Sequence, residues 1–387
     1  MFEIFDLKNA FNRYVLLWAI PQFLGLWLGS SSAIALLFSI PYLILTIYYF
    51  FMSVKKRKLP SSLKILLFLF LFLVIYGVFD LIGYRRYTFL QAIVVSIPPI
   101  FVFYEFFCSG KVTEKLLKQW FFVFLVLAIW TYFKHQMSVM ELSVKRLDAS
   151  EVVNNMSYIL IGLFPFVFLF KNRYLQLGII FVISYFTIIG LKRGAIVVLA
   201  IMILWYIISS VSTKRKGKFN SLLAMAVLIG LAYVFIKNQF ITNDAFVHRL
   251  DITLEGDSSG RDEIYSFYWD YFLYDAPIFN KLFGGGAWFT EQLGHIKAHN
   301  DWLEMLIDHG AVGCIIYLLF WIGYWRDIRR QNRNNVTYLV GMACFIVSFC
   351  RTPFSMFYYV IHLYVSIMIA YSLTQYNIQT GERLKEQ

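Results

Sequence analysis

Residues 54–80 read VKKRKLPSSLKILLFLFLFLVIYGVFD. A cluster of cations leads straight into an apolar run at 62–80. That run is close to the ~20 residues a helix needs to cross the hydrocarbon core of a bilayer. In a soluble fold it would have to be covered on every side. The same pattern recurs along the whole chain of 387 residues, of which 59% are apolar and 15% charged, with 40 Phe and 26 Tyr. A soluble core of this size cannot hide so much apolar surface, so the chain is expected to be an all-α, polytopic transmembrane helical bundle. About 12 spans can be marked, near 13–29, 32–53, 62–80, 87–108, 118–134, 155–170, 174–190, 194–211, 219–237, 303–325, 335–350 and 353–373. They form a single integral membrane domain over 1–387, with one large loop at 238–302.

The net charge of +12 could signal nucleic acid in a soluble protein. Here the cations sit in short links between apolar runs: VKKRK at 54–58, Lys111, Lys115 and Lys118, KNR at 171–173, TKRKGK at 213–218 and RDIRRQNR at 326–333. These are alternate links, so all fall on one side of the membrane. The positive-inside rule makes that side the cytoplasm and places both termini there. No nucleic-acid partner is expected, and the 238–302 loop faces outward. The N-terminal apolar run reads as a first span, because no cleavage site follows a short apolar core. Cys108, Cys314, Cys344 and Cys350 lie in or beside apolar segments without a CxxC pair, so neither a disulfide framework nor a metal site is expected.

Some cations break the charge rule. Lys192 and Arg193 lie in a tight outward turn, GLKRG, and Arg351 lies in another. A cation kept there against the topology bias is a candidate for work on an anion. In the large loop, Ser259 can cap a helix beginning at Gly260–Arg261, whose aromatic face includes Tyr268 and Tyr271, with Trp269 alongside. Pro277 and the glycines at 284–286 stop it. The GGGAW run, with Gly285 and Trp288, is neither a Walker nor a Rossmann loop. Its amides could approach a ligand, and its tryptophan suits stacking on a sugar.

The densest titratable chemistry is at 296–321, IKAHNDWLEMLIDHGAVGCIIYLLFW. Asp301 is placed to cap the next helix, with Glu304 three residues on. His299 then lies just outside the helix start, where positive helix potential disfavours its protonation and attracts phosphate. Asp301, Glu304 and Asp308 form a polar stripe, so the first two turns are expected to line a cavity. Gly310 and Gly313 allow a neighbouring segment to approach closely. His309 reads as structural. Neither HExxH nor a carboxylate cluster with metal-ligand spacing is present, so no metal and no cofactor are expected.

These segments carry a resemblance. HNDWLEMLIDHGAVG at 299–313, IIGLKRGAIVVLA at 188–200, SSGRDEIYSFYWDYF at 258–272 and GGGAWF at 284–289 resemble, in order and spacing, motifs of the O-antigen polymerase and O-antigen ligase family. Lys192 departs from the family, which often has Ser there. The resemblance implies a metal-independent enzyme of the bacterial inner membrane, acting at its outer face on an oligosaccharide carried by undecaprenyl pyrophosphate. It implies Arg193 and Arg261 on the pyrophosphate and His299 as base or hydroxyl orienter. Arg351 extends the cation set, and Lys192, Asn300, Gly285, Trp288 and Trp269 stand beside them as substrate contacts. The compact loop favours a polymerase extending a growing glycan chain, with a chain-length regulator as a partner. The alternatives are a ligase delivering glycan to lipid A core, or a lipid-linked glycan flippase.

Overall fold

The computed structural model describes residues 3–28, 33–79, 86–146, 154–212, 260–294 and 297–374, with isolated residues at 230, 237, 241 and 247. Every regular element among them is helical. In chain order the helices are α1 (Ala10–Leu28), α2 (Ala33–Lys56), α3 (Ser61–Phe79), α4 (Arg86–Ser96), α5 (Pro98–Cys108), α6 (Glu114–Arg146), α7 (Ser157–Ile161), α8 (Arg173–Ile189), α9 (Arg193–Ser212), α10 (Arg261–Asp270), α11 (Ile278–Phe283), α12 (Phe289–Gly294), α13 (Asp301–Arg329), α14 (Val336–Phe349) and α15 (Leu363–Leu373). The link 213–218, Ser259 and His295 lie outside the described residues.

The chain forms two compact units, one from Met1–Leu116 with Ser259–Gln387 and the other from Leu117–Ser258. The first is organised around α3 and α13. The Ser62 amide donates to Asp327 (2.8 Å), a Cβ on Gly323 would meet Ile65 and Ser62, and one on Gly313 would meet Phe72. Numbers rise along α3 as they fall along α13, so the two helices run antiparallel. At one end of this unit several links are tied together. Arg57 forks onto Glu105 (2.7 and 3.0 Å), Lys115 pairs with Glu3 (3.0 Å), Asn9 donates to the Lys111 carbonyl (2.8 Å) and Gln331 to the Ser372 carbonyl (2.6 Å). The basic links at 54–58, 111–115 and 326–333 therefore share one end of the unit. The segments carrying His299, Trp288 and Arg351 lie at the other end of the α3–α13 pair.

The second unit packs α6, α7, α8 and α9. Asn154 is its buried keystone. Its side-chain amide donates to the Tyr132 carbonyl (3.1 Å) and to Gln136 Oε1 (3.0 Å), and its backbone amide donates to the Gly190 carbonyl (2.8 Å). Asn172 caps α8 by accepting from the Tyr174 and Leu175 amides.

Five helices among the described residues are long and apolar enough to cross a bilayer: Ser61–Val78, Thr88–Cys108, Glu114–Glu141, Arg193–Ser210 and Asp301–Arg329. This corrects the expectation of about 12 uniform spans. The runs expected at 13–29 and 32–53 do form helices, α1 and α2, but are not among these five. The run expected at 219–237 lies almost wholly outside the described residues. Other apolar runs are broken or short. At 155–170, α7 gives way at Gly162 to a 3-10 helix, Phe164–Leu169, because Pro165 cannot donate to an α-helical ladder. α14 has 14 residues and α15 only 11. At 1.5 Å per residue such helices are far shorter than the ~30 Å hydrocarbon core. In the opposite direction, α6 runs on to Arg146, through most of the link expected at 135–154. The described chain is thus that of a polytopic helical membrane protein built from spans of unequal length.

Candidate functional site

α13 is two helices joined at Gly310, whose φ of 68° and ψ of −174° are not helical. The break leaves carbonyls of the first segment without partners in the second. The glycine run fills that need: the Gly285 amide donates to the Ile307 carbonyl and the Gly286 amide to the Asp308 carbonyl, both at 3.0 Å. A Cβ on Gly310 would run into the backbone of Leu282 and Gly284, and one on Gly284 (φ 80°) into the backbone of Asp308. The two glycines therefore pass backbone to backbone. Gly285, expected to face a ligand, has its amide committed to this crossing. The segment after the break, 311–329, is about 28 Å long and suits a span. The segment before it stands as a separate two-turn helix.

That short helix carries three fully buried carboxylates, which together hold the surrounding loops. Asp301 accepts from Tyr317 Oη (2.7 Å) and from the Phe357 amide (2.9 and 3.0 Å). Glu304 accepts from the His299 amide (3.0 Å) and from Tyr359 Oη (3.3 Å). Asp308 accepts from the Thr290 amide (2.7 Å) and its hydroxyl (3.4 Å). A polar group buried without partners is costly, and these hydrogen bonds offset that cost. The stripe therefore anchors the 299, 290 and 351–359 segments, where an open cavity was expected. It also bears on why 353–362 is not part of a span: the Phe357 amide and the Tyr359 hydroxyl are committed to α13.

The cap differs from expectation too. Asn300, not Asp301, is the N-cap, its side-chain oxygen accepting from the Trp302 (3.0 Å) and Leu303 (3.3 Å) amides. The Asp301 amide donates to the Thr352 carbonyl and the Glu304 amide to the Asn300 carbonyl. The amides of Asp301, Trp302, Leu303 and Glu304 are thus each occupied.

His299 itself is exposed, with φ 52°. Its backbone amide is held by Glu304. Next to it, Trp288 and Tyr359 meet edge to face (4.8 Å), and Lys297 Nζ lies 4.0 Å from the Trp288 ring centre and 5.1 Å from that of Tyr359. Glu291 holds the same ammonium at 2.9 Å. α10 covers this region from the side. Tyr268 packs on Ala298, Leu303 and Ile307, and its hydroxyl donates to the Thr290 carbonyl (2.9 Å). Burial, then the nearby Asp308 and Glu304 carboxylates, push this phenol up to about 12, so it remains a donor. His309 is fully buried among Tyr76, Phe72, Phe89 and Tyr358, the structural setting expected for it.

The sequence candidates divide as follows. Trp288, His299 and Asn300 come together around the start of α13, and Gly285 lies at the end of its first segment. Arg351 is buried within electrostatic reach of Asp301, one residue from Thr352, which accepts from Trp302 Nε1 (2.8 Å). Arg261 is half-buried at the first turn of α10, and Trp269 is exposed further along it against Phe272. Lys192 and Arg193 belong to the second unit, where Arg193 opens α9 after Leu191, a residue with φ 53°. Sequence reasoning missed Lys297 and Tyr359. Their roles come from contacts 9 to 62 positions apart in the chain (Lys297 with Trp288, Tyr359 with Lys297), and no local pattern signals those.

Among the described residues, the non-glycine residues with positive φ are Leu191, Trp288 and His299. Each stands in or beside a motif singled out from sequence. Such backbone costs on the order of 1–3 kcal/mol and persists where surrounding structure enforces it, commonly at functional sites. Among the same residues no group of three or more His, Cys, Asp or Glu side chains could hold a metal ion.

These features define a membrane protein with an organised polar site at the start of a broken helix. Residues 178–318 match the family model described as O-antigen ligase. The matched stretch contains Lys192, Arg193, Arg261, Trp269, Gly285, Trp288, His299 and Asn300, and stops short of Arg351. No curated protein matches the chain.

Proposed function

We propose that the protein is a membrane glycosyltransferase of the ligase type, moving an oligosaccharide from undecaprenyl pyrophosphate to an acceptor hydroxyl at the outer face of the bacterial cytoplasmic membrane. The observation that carries this reading is the family match over 178–318, which encloses all three strained positions and the cations beside them. Its description favours the ligase over the polymerase drawn from loop size.

In this reading Arg193 and Arg261 grip the pyrophosphate. A guanidinium presents paired donors that match phosphate oxygens. His299 accepts the proton of the acceptor hydroxyl as its oxygen attacks the anomeric carbon. The bond from that carbon to the pyrophosphate oxygen breaks, and the lipid pyrophosphate leaves with its charge held by the arginines. The proton passes from His299 to solvent or to the leaving phosphate. A single displacement inverts the anomeric centre. The sugar–pyrophosphate bond is already activated, so no nucleotide is required.

The test uses purified protein in proteoliposomes with lipid-pyrophosphate-linked glycan and two acceptors, lipid A core and a second lipid-linked unit. Glycan appearing on lipid A core is the expected result. Extension of the lipid-linked unit alone would assign the polymerase reaction. Transfer to neither acceptor, with intact donor binding, would contradict the ligase proposal.

A further inference from the structure

A pocket of 310 Å³ opens within the first unit between α1, α4 and the segment leading into α15. It is lined by Trp18, Gln22, Gln91, Ser96, Tyr359 and His362 together with small and aliphatic side chains. Its volume is at the lower end of the roughly 300–1,000 Å³ typical of small-molecule sites, room for a sugar ring or a disaccharide.

The chemistry of the wall is selective. No Lys, Arg, Asp or Glu lines it. The arginines implicated above do not line it, although Arg351 lies within electrostatic reach of His362. An acyl chain gains nothing from two carboxamides and several hydroxyls, which would lose water against it. Gln22 and Gln91 each offer both donors and an acceptor, while Ser96 and the neutral His362 can serve as either. Trp18 and Tyr359 add broad aromatic surface with a polar edge. Mixed donors and acceptors around an aromatic wall, without formal charge, match a ligand that carries many hydroxyls on an apolar ring face.

The pocket is also linked to the candidate site. Tyr359 lines it, donates to Glu304 (3.3 Å) and meets Trp288 (4.8 Å), and Glu304 in turn holds the His299 amide. Phe89, from the same helix as Gln91, meets Trp288 at 5.5 Å.

We propose that this pocket is a saccharide subsite that binds an uncharged sugar of the glycan and positions the chain relative to His299. The role in positioning rests on the glycan-transfer reading, while saccharide binding can be measured without it. The double variant Gln22→Leu/Gln91→Leu removes the two carboxamides at exposed positions. A second variant, Ala92→Phe, fills the pocket from its α4 side.

The experiment uses the full chain in lipid nanodiscs. The probe is the free oligosaccharide released by mild acid from lipid-pyrophosphate-linked glycan, with the core oligosaccharide of the acceptor as a second arm. Binding is read by calorimetry and saturation-transfer NMR. The wild type is expected to bind the donor-derived oligosaccharide, the double variant about tenfold more weakly, as loss of two hydrogen bonds implies, and Ala92→Phe at least as weakly because its ring takes the space of the sugar. If the acceptor-derived sugar is the one that loses affinity, the pocket is a saccharide site on the acceptor side. No binding to the wild type, or equal binding by both variants, overturns the subsite. Transfer activity separates the two claims. A wild type that transfers nothing, with pocket-dependent sugar binding, removes the glycosyltransferase reading and keeps the saccharide site. Normal transfer and binding by both variants removes the pocket alone.

Discussion

His299 occupies a backbone conformation that asparagine tolerates better than histidine, since Asn enters the left-handed region at lower cost. His299→Asn is therefore expected to hold or raise the melting temperature while transfer falls on the order of 10²–10⁴-fold, the usual worth of a positioned acid–base group. Parallel thermal unfolding and initial-rate measurements read both effects, and a variant that loses stability and keeps activity would make His299 a packing residue. Arg193 permits a different test. Arg193→Lys keeps the charge and loses the fork, so it is expected to lose most of the activity, with Arg193→Ala losing more. Product ladders from Arg193→Ala matching the wild type at equal protein level would remove it from the site. The residue scale also shows where sequence stops being informative. Asn300 and Asp301 are neighbours and equally good caps. Only the structure reveals that Asn300 takes the cap while Asp301 turns inward to Tyr317 and Phe357.

The broken helix is the element on which the site depends. Gly284 and Gly310 let two backbones touch, and the Gly285 and Gly286 amides close the carbonyls that the break exposes. Gly310→Ala would force a positive-φ alanine into the Leu282–Gly284 backbone, with an expected cost of about 3 kcal/mol or more. Gly178→Ala, where a Cβ meets nothing, is the control and should stabilise α8 by up to about 1 kcal/mol. Thermal stability in detergent compares them, and a Gly310→Ala protein as stable as the control would contradict the crossing. The glycines were visible in sequence as a point of close approach, but the partner was not, because it lies in a different motif. The failure of 353–362 to continue as a span was equally illegible. Its apolar composition is that of a membrane helix, and its actual conformation is set by carboxylates some fifty positions earlier.

Across the whole molecule, hydropathy made the membrane class and the α3 and α13 spans readable, since length and apolar content suffice for both. Span number was less readable, because internal prolines and loop-committed residues shorten helices without changing composition. The gathering of basic links at one end of the first unit agrees with the alternation of charge in sequence, and it gives the orientation a test. With the native cysteines removed, a single cysteine at Lys111 should resist an impermeant thiol reagent in sealed cells, and one at the exposed Tyr274 should react. Reaction of both from outside would contradict the proposed sidedness. The most direct measurement on the central claim is the rate of glycan transfer from lipid pyrophosphate by reconstituted His299→Gln, with donor binding measured on the same preparation. The account predicts donor affinity close to wild type and a transfer rate lower by about 10²–10⁴-fold. Transfer at the wild-type rate would contradict it.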